Sequence, residues 1–273
     1  MAIETNISWA ESTVNFFINC KKISEGCKFC YMFRITDPNG TNPTAIRRAS
    51  DSTFYKPLKW LDSRLIFTCS MSDFFLEEVD QWRADAWDVI RRTPQHHWLI
   101  LTKRPERILS NLPADWGDGY DNVSLGVSVE TQKWSKRITI LSEVPSRHYF
   151  ISIEPILEQI KLSNVKGIKK IGWVILGGES GNELGKYRYR PAELDWFTCL
   201  IEECRMLGIK VFNKQLGTFL AKKLKLKSKH GDKPSEWHHS LQVQEQPNRF
   251  TQDQIHELYE YYMLSSRYPQ LLD

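Results

Sequence analysis

The chain of 273 residues carries 37 Lys and Arg against 33 Asp and Glu, which gives a net charge of +4, and 41% of its residues are hydrophobic. These values are typical of a globular protein and exclude collagen, a coiled coil or long disorder as a description of the whole. No apolar run approaches the roughly 18 residues of a membrane helix, and the N-terminus lacks the pattern of a secretion signal. We therefore expect a cytoplasmic protein with reduced cysteines and no membrane partner.

Seven short apolar runs recur along the chain, and each is too short for a typical helix and lacks polar alternation. This is typical of strands that are buried on both faces of a parallel sheet. The runs cover residues 14–18, 65–69, 98–101, 124–129, 149–153, 173–176 and 210–212. Helices are predicted between them at 80–92, 131–141 and 191–207. Repeated βα units predict an α/β fold, which we expect to be a partial or irregular (β/α) TIM-like barrel.

The chain changes character near residue 217. We predict a barrel over residues 1–217, with a cysteine-bearing loop, and a basic C-terminal extension over residues 218–273 that packs on or beside the barrel. Six lysines occur within residues 222–233. This stretch is either a solvated surface extension or an arm that contacts a phosphate backbone.

Three cysteines crowd one short segment with the spacing Cys20-X6-Cys27-X2-Cys30, followed directly by Tyr31. Thiolates are soft ligands that suit iron–sulfur clusters and zinc. Three cysteines can hold three irons of a cubane and leave the fourth iron open to a small molecule, whereas structural zinc usually takes four protein ligands. An iron–sulfur cluster, a zinc site and plain buried or redox thiols remain the alternatives, and the sequence favours the cluster.

Polar residues and glycines follow most of the predicted strands. Because the carboxyl ends of parallel strands meet at one edge of a sheet or barrel, we expect these residues to lie together near the cysteines. The candidate catalytic residues are Glu154, Lys103 and Asp73, and the candidate substrate contacts are Arg104, Lys214 and Gln215. Asp73 also suits a helix N-cap, so a structural role stays open for it.

Two further strand ends suggest contacts to a small-molecule cofactor. The loop that contains Gly177, Gly178 and Glu179 is either a tight turn or a nucleotide loop, since glycines let the backbone approach a ligand closely. Ser128 and Glu130 are two residues apart and share one face of a strand. They are either a satisfied surface pair or further cofactor contacts.

Several motifs together resemble the phage Gp37/Gp68 family, which is also described as a three-Cys-motif family and as a domain of unknown function. The resemblance covers nearly the whole chain. It is carried by the segments 5–9, 19–31, 70–75, 101–105, 125–130, 177–181 and 214–217, and by the tail around His230 and Trp237.

Through this family the chain resembles radical S-adenosylmethionine (SAM) enzymes of the spore photoproduct lyase-like branch. The resemblance implies a [4Fe–4S] cluster held by the three cysteines, SAM as second cofactor, and Tyr31, Ser128, Glu130, Gly177, Gly178 and Glu179 as cofactor contacts. Reductive cleavage of SAM would yield a 5′-deoxyadenosyl radical. The usual radical SAM spacing is CxxxCxxC, whereas six residues separate Cys20 from Cys27 here, so the first gap departs from that pattern.

Two hypotheses from different classes follow. The first is a radical SAM-type enzyme, a lyase or transferase, that acts on nucleic acid or a nucleotide in a phage- or defence-related role and needs an electron donor. The second is a non-catalytic binding module in phage–host interaction, in which zinc or a cluster is only a structural staple. A partner protein is compatible with both.

Overall fold

The structure, a computed structural model, describes residues 5–38 and 45–247. Its centre is one seven-stranded sheet in which all neighbouring strands are parallel and follow each other in chain order. The strands are β1 (Ser12–Val14), β4 (Leu65–Thr68), β5 (His97–Thr102), β6 (Val123–Ser128), β7 (His148–Ile153), β8 (Trp173–Gly177) and β9 (Lys210–Gln215). Two further strands, β2 (Phe17–Ile18) and β3 (Arg47–Arg48), form a separate antiparallel pair.

The helices are α1 (Tyr31–Thr36), α2 (Asp51–Phe54), α3 (Asp80–Arg91), α4 (Lys136–Glu143), α5 (Leu194–Leu207) and α6 (Gly217–Lys223). The predicted helices at 80–92, 131–141 and 191–207 are confirmed as α3, α4 and α5, with α4 preceded by a 3₁₀ turn over Gln132–Ser135. Helix α5 ends at Gly208, whose φ of 70° lies in the left-handed region that glycine adopts without a Cβ penalty.

Six of the seven predicted strands are confirmed, but the first is divided. The run 14–18 splits into the end of β1 and the separate strand β2. Between them, the Asn15 side chain accepts a hydrogen bond from the backbone N–H of Met71 at 2.8 Å. Phe16 and Phe17 are both fully buried. Because the chain bends here, both aromatic rings pack in apolar surroundings. An apolar run in the sequence does not reveal such a bend.

The prediction of a TIM-like barrel is wrong, although the α/β class is correct. The sheet is curled but open, with β1 and β9 at its two edges. The free edge of β9 is taken by a C-terminal segment that runs antiparallel to it: the Asn213 N–H donates to the Val243 carbonyl at 2.7 Å and the Glu245 N–H to the Val211 carbonyl at 2.8 Å. Because these backbone groups are already paired, β9 cannot close the sheet onto β1.

Both faces of the sheet are buried. The outer face packs against the helices in the larger core. The inner face holds a smaller aromatic cluster that comprises Trp9, Leu65, Phe67, Leu99, Phe150, Trp173, Ile175 and Phe212. Gly126 on β6 makes room for Phe150, since a Cβ atom there would overlap the Phe150 ring. Side chains alternate between the faces along each strand, so Lys103, Ser128 and Glu154 lie on the same face as this cluster, beyond its carboxyl end.

Residues 217–247 pack closely on the sheet rather than extending from it. The N–H groups of Leu216 and Gly217 donate to the carbonyls of Gly231 and His230, and the Trp173 indole donates to the Glu245 carbonyl at 2.8 Å. The remainder of the predicted extension, residues 248–273, lies outside the described residues, as do residues 1–4 and 39–44. In the described ranges, none of the helices has the length and apolar character needed to traverse a bilayer.

Candidate functional site

The cysteine loop lies at the carboxyl edge of the parallel sheet. The chain reaches it through β2, and the Asn19 N–H donates to the carbonyl of Met71, just beyond β4. Cys27 ends a short 3₁₀ turn and Cys30 directly precedes α1. None of the three cysteines is in a disulfide. The loop thus presents three thiols beside the strand ends, as the sequence predicts.

The three thiols lie close enough to interact electrostatically. Burial raises the pKa of Cys20 to about 12; Asp73 and the neighbouring Cys27 and Cys30 raise it as well, and Arg104 opposes them. Burial also raises the pKa of Cys30, with Cys27 adding to the rise. In the described parts of the chain, no three His, Cys, Asp or Glu side chains have the arrangement of a finished metal site. The geometry therefore brings the thiols together without assembling them around an ion.

The carboxylate of Glu130 holds the cysteine loop in place. It is fully buried. Its Oε1 accepts from the Ser24 hydroxyl at 2.7 Å and its Oε2 from Arg137 at 2.7 Å. The Ser24 hydroxyl lies 3.7 Å from the Cys27 sulfur. Both carboxylate oxygens are thus engaged within the protein, and their contacts hold the turn that carries Cys27.

Lys103 joins the same network from β5. Its ammonium lies 3.5 Å from Glu130 Oε1. Burial lowers the pKa of Lys103, but Glu130, Cys27 and Cys30 outweigh burial and raise it overall. Lys103 was predicted as a catalytic cation. The structure places its charge beside Cys27 and Cys30. Burial raises the pKa of Cys30, and Lys103 lowers it.

Asp73 joins the ends of β4 and β5. Its Oδ1 accepts from the Thr102 hydroxyl at 2.6 Å and from the Phe75 N–H at 3.0 Å, and its Oδ2 accepts from the Lys103 N–H and from Arg104. Arg104 also donates to the Lys21 carbonyl at 2.8 Å, next to Cys20. The pair therefore links two strand ends to the cysteine loop. The bond to Phe75 N–H is a local Asx turn rather than a cap of α3.

Glu154 and Lys214 form an ion pair above the inner face of the sheet. The Lys214 ammonium donates to Glu154 Oε1 at 2.9 Å, and the Ser152 hydroxyl donates to the other oxygen at 3.2 Å. Both side chains keep some solvent exposure. Glu154 also acts electrostatically on Tyr31, which lies beside Cys30. A carboxylate, an ammonium and a phenol therefore border the cysteine loop on this side.

The glycine-rich loop after β8 is shaped by contacts within the protein. A Cβ atom on Gly178 would come 2.1 Å from the Leu216 carbonyl oxygen, and one on Gly177 would come 2.4 Å from Glu154 Oε1. The Gln215 side chain donates to the Gly178 carbonyl at 2.8 Å. The backbone of the turn after β9 thus occupies the space that Gly178 leaves. This close approach of the backbone explains why residue 178 is a glycine, and no ligand is needed for the explanation.

Glu179 is buried and paired with Arg190, which donates to it through both its guanidinium and its backbone N–H. Arg190 also donates to the Glu25 carbonyl at 3.0 Å. The loop after β8 is in this way connected directly to the 3₁₀ turn that holds Cys27. Ser128 is buried at the end of β6, and its carbonyl accepts from Arg137 at 2.8 Å.

The next cysteine along the chain after this loop is Cys69. It is buried in the larger hydrophobic core. Burial raises its pKa to about 12, which keeps the thiol protonated. Cys69 packs in the larger core and also interacts electrostatically with Cys20. The candidate centre therefore has three cysteines on the loop and a protonated thiol near one of them.

Sequence reasoning missed the residues that hold the loop in place: Ser24, Gly26, Arg137 and Arg190. Gly26 carried a signal, because a glycine inside a cysteine motif suggests a close approach of the backbone. Arg137 and Arg190 carried none, since each lies on a segment remote in sequence and acts through a buried carboxylate.

The donor set fits an iron–sulfur cluster better than structural zinc. Three thiols on one loop match three irons of a cubane, whereas structural zinc usually takes four protein ligands. Burial raises the pKa of Cys69, the fourth thiol near Cys20, and keeps it protonated. The cationic Lys103 next to Cys27 and Cys30 suits an anionic thiolate centre. The three cysteines would hold the cluster.

Comparisons with known proteins give one result. Neither the curated proteins nor the solved structures contain a match to this chain. A family model matches residues 4–250, which includes the cysteine loop, all seven strands of the sheet and the segment that covers β9. The chain therefore belongs to the protein family of unknown function DUF5131.

Proposed function

We propose that the protein is an iron–sulfur, SAM-dependent radical enzyme of the lyase or transferase type that acts on nucleic acid or a nucleotide. The observation that carries the proposal is the meeting of three mutually interacting thiols at the carboxyl edge of an all-parallel sheet. Sites of α/β proteins are built at this edge. The likeness of the motifs to the phage Gp37/Gp68 family and, through it, to radical SAM enzymes supports the same reading.

The chain's own residues have separable tasks in this proposal. Cys20, Cys27 and Cys30 would hold the cluster, which would supply the electron for reductive cleavage of the SAM sulfonium. Glu130 fixes the turn of Cys27 through Ser24. Lys103 balances the negative charge of the thiolates.

The side of the cysteine loop that Glu154 and Lys214 border suits the substrate. Glu154 and Lys214 are partly exposed and present a carboxylate and an ammonium toward the same edge. A cation at this position can pair with a phosphate, and a carboxylate can accept from a ribose hydroxyl or an amine. An external electron donor completes the set of partners, since no residue of the chain can reduce a cluster repeatedly.

Anaerobic reconstitution with iron and sulfide tests the proposal. We expect a brown protein absorbing near roughly 400 nm, about four irons per chain and formation of 5′-deoxyadenosine from SAM in the presence of dithionite. Single Ala variants of Cys20, Cys27 and Cys30 should lose most of the iron. Cys199→Ala is the matched control, because Cys199 is exposed on α5. A colourless protein that retains one zinc, or full iron in all three variants, would contradict the proposal and favour a binding module.

A further inference from the structure

The charge of the molecule is unevenly distributed. Three segments, residues 20–36, 177–190 and 214–233, contain 14 Lys and Arg against 4 Asp and Glu, a net charge of +10. The whole chain has 37 against 33, so the remaining residues hold 23 against 29 and carry a net charge of −6. The mild overall charge therefore conceals a strong asymmetry.

These three segments lie next to one another, and we call their solvent-exposed side chains the basic surface. Arg34 on α1 donates to the Ser180 carbonyl, and the Gly181 N–H donates to the Thr218 hydroxyl on α6. His230 of the third segment lies near Arg34 of the first. Burial lowers the pKa of His230, and Arg34 lowers it further. Each segment thus lies close to the other two.

Most cations of the basic surface face solvent. The exposed ones include Lys22, Lys28, Arg188, Lys222, Lys223, Lys225, Lys227, Lys229 and Lys233. Two of them pair with exposed carboxylates, Lys222 with Glu183 and Lys223 with Glu193. Pairs at the surface are weak, so an arriving polyanion can exchange with them.

The basic surface adjoins the cysteine loop and carries aromatic rings. Cys20, Cys27 and Cys30 belong to its first segment. Arg190 lies 5.4 Å from the centre of the Phe29 ring, and Tyr31, which follows Cys30, is partly exposed. Aromatic faces beside cations provide stacking positions for bases next to contacts for phosphates.

We propose that the basic surface binds the phosphate backbone of a nucleic acid and directs it to the cysteine loop, so that the substrate is a polynucleotide rather than a free nucleotide. The inference rests on the proposed function, because it takes the cysteine loop as the place of the chemistry. A free nucleotide has too few phosphates to engage cations spread over three segments. The shared chemistry is the polyphosphate backbone, and the test distinguishes DNA from RNA.

Fluorescence anisotropy with labelled 20-nucleotide DNA and RNA of one sequence, single-stranded and duplex, tests the inference over a series of salt concentrations. We expect affinity to fall steeply with salt, because each lysine–phosphate contact releases counterions. The triple variant K225Q/K227Q/K229Q should reduce the slope of log K against log salt by about two units for a single strand. The preferred polymer is the one with the higher affinity at equal salt.

The matched control is K59Q/K166Q/K169Q. It removes three exposed lysines that precede β4 and β8 and therefore lie toward the amino-terminal ends of the strands, opposite the cysteine loop. It should leave the slope unchanged. The inference would be overturned by absence of binding, by an equal reduction of the slope of log K against log salt in the control variant, or by equal affinity for polyglutamate of matched charge. Salt-dependent binding without iron or 5′-deoxyadenosine would contradict the proposed function alone. Formation of 5′-deoxyadenosine without binding would contradict this inference alone.

Discussion

Gly26 lies directly against the side chain of Glu130. A Cβ atom built on Gly26 would come 2.5 Å from both Cγ and Oε1 of Glu130. Glu130 cannot move away easily, because Arg137 and Ser24 hold its two oxygens. The glycine between Cys20 and Cys27 is therefore required by a buried carboxylate that follows β6.

Replacing Gly26 by Ala tests this relationship. The added methyl group must displace either Glu130 or the turn that carries Cys27, and we expect the free energy of unfolding to fall by about 1–3 kcal/mol. Iron retained after reconstitution should fall as well. Gly172→Ala is the control, because its Cβ would meet only the Tyr149 carbonyl, at an ordinary 3.8 Å. Unchanged stability and iron content in G26A would contradict the packing argument.

The charge of Lys103 should control the reactivity of the thiols. Lys103 lowers the pKa of Cys30, which burial raises. We expect Lys103→Met to slow alkylation of Cys30 by iodoacetamide in the metal-free protein several-fold, because loss of the ammonium removes a charge that lowers the pKa of this thiol. Lys103→Arg should keep most of the rate because it keeps the charge.

Peptide mass spectrometry over time gives the alkylation rate of each cysteine separately. Cys199 is an internal control, since it is exposed on α5 and remote from Lys103 in the sequence. If K103M and K103R react equally fast at Cys30, the charge of Lys103 does not act on that thiol.

The element pattern was predictable because buried parallel strands leave a local signature. The runs that became β4 to β9 are short, apolar and followed by polar residues or glycine, and the adjacency of their ends follows from the parallel arrangement. Barrel closure was not predictable. It depends on whether β9 pairs with β1 or with residues 243–245, and no local pattern distinguishes these partners.

The site was likewise predictable in part: its position could be predicted from the sequence, but the partners of its side chains could not. The cysteine spacing marks the loop, and strand-end logic brought Lys103, Glu130 and Glu154 to the correct edge. The roles of these side chains depend on partners distant in sequence. Glu130 was predicted as a cofactor contact, yet its oxygens are engaged by Ser24 and Arg137. One sequence does not reveal such pairs, because buried and exposed carboxylates look alike in it.

The buried pair of Glu179 and Arg190 should be more important for stability than an exposed ion pair. Arg190→Ala leaves Glu179 buried without its partner and also removes the bond to the Glu25 carbonyl. We expect a loss of about 3 kcal/mol in the free energy of unfolding measured with urea. Arg91→Ala breaks exposed pairs with Asp88 and Asp115 and should cost less than about 1 kcal/mol. Equal losses in both variants would show that burial does not strengthen this contact.

His96 should make the protein less stable in mild acid. Its ring is buried between Trp60 and Trp98, and its Nδ1 has no hydrogen-bond partner within residues 5–38 and 45–247. Burial lowers its pKa from 6.5 to about 4, and the nearby Arg64 lowers it as well. Between these two pH values the unfolded chain binds a proton that the folded chain excludes. Stability therefore rises with pH across this window and is lost as pH falls.

At pH 5 this imbalance corresponds to about 2 kcal/mol relative to pH 7. Urea unfolding at pH 7, 6 and 5 should show that His96→Phe, which keeps an aromatic ring between the two tryptophans, loses about that much less stability on acidification than the wild type. His239→Phe is the matched control on the exposed surface and should follow the wild-type curve. Parallel curves for H96F and the wild type would mean that another group causes the acid sensitivity, since the buried ring of His96 could then not be the site at which the unfolded chain gains its proton.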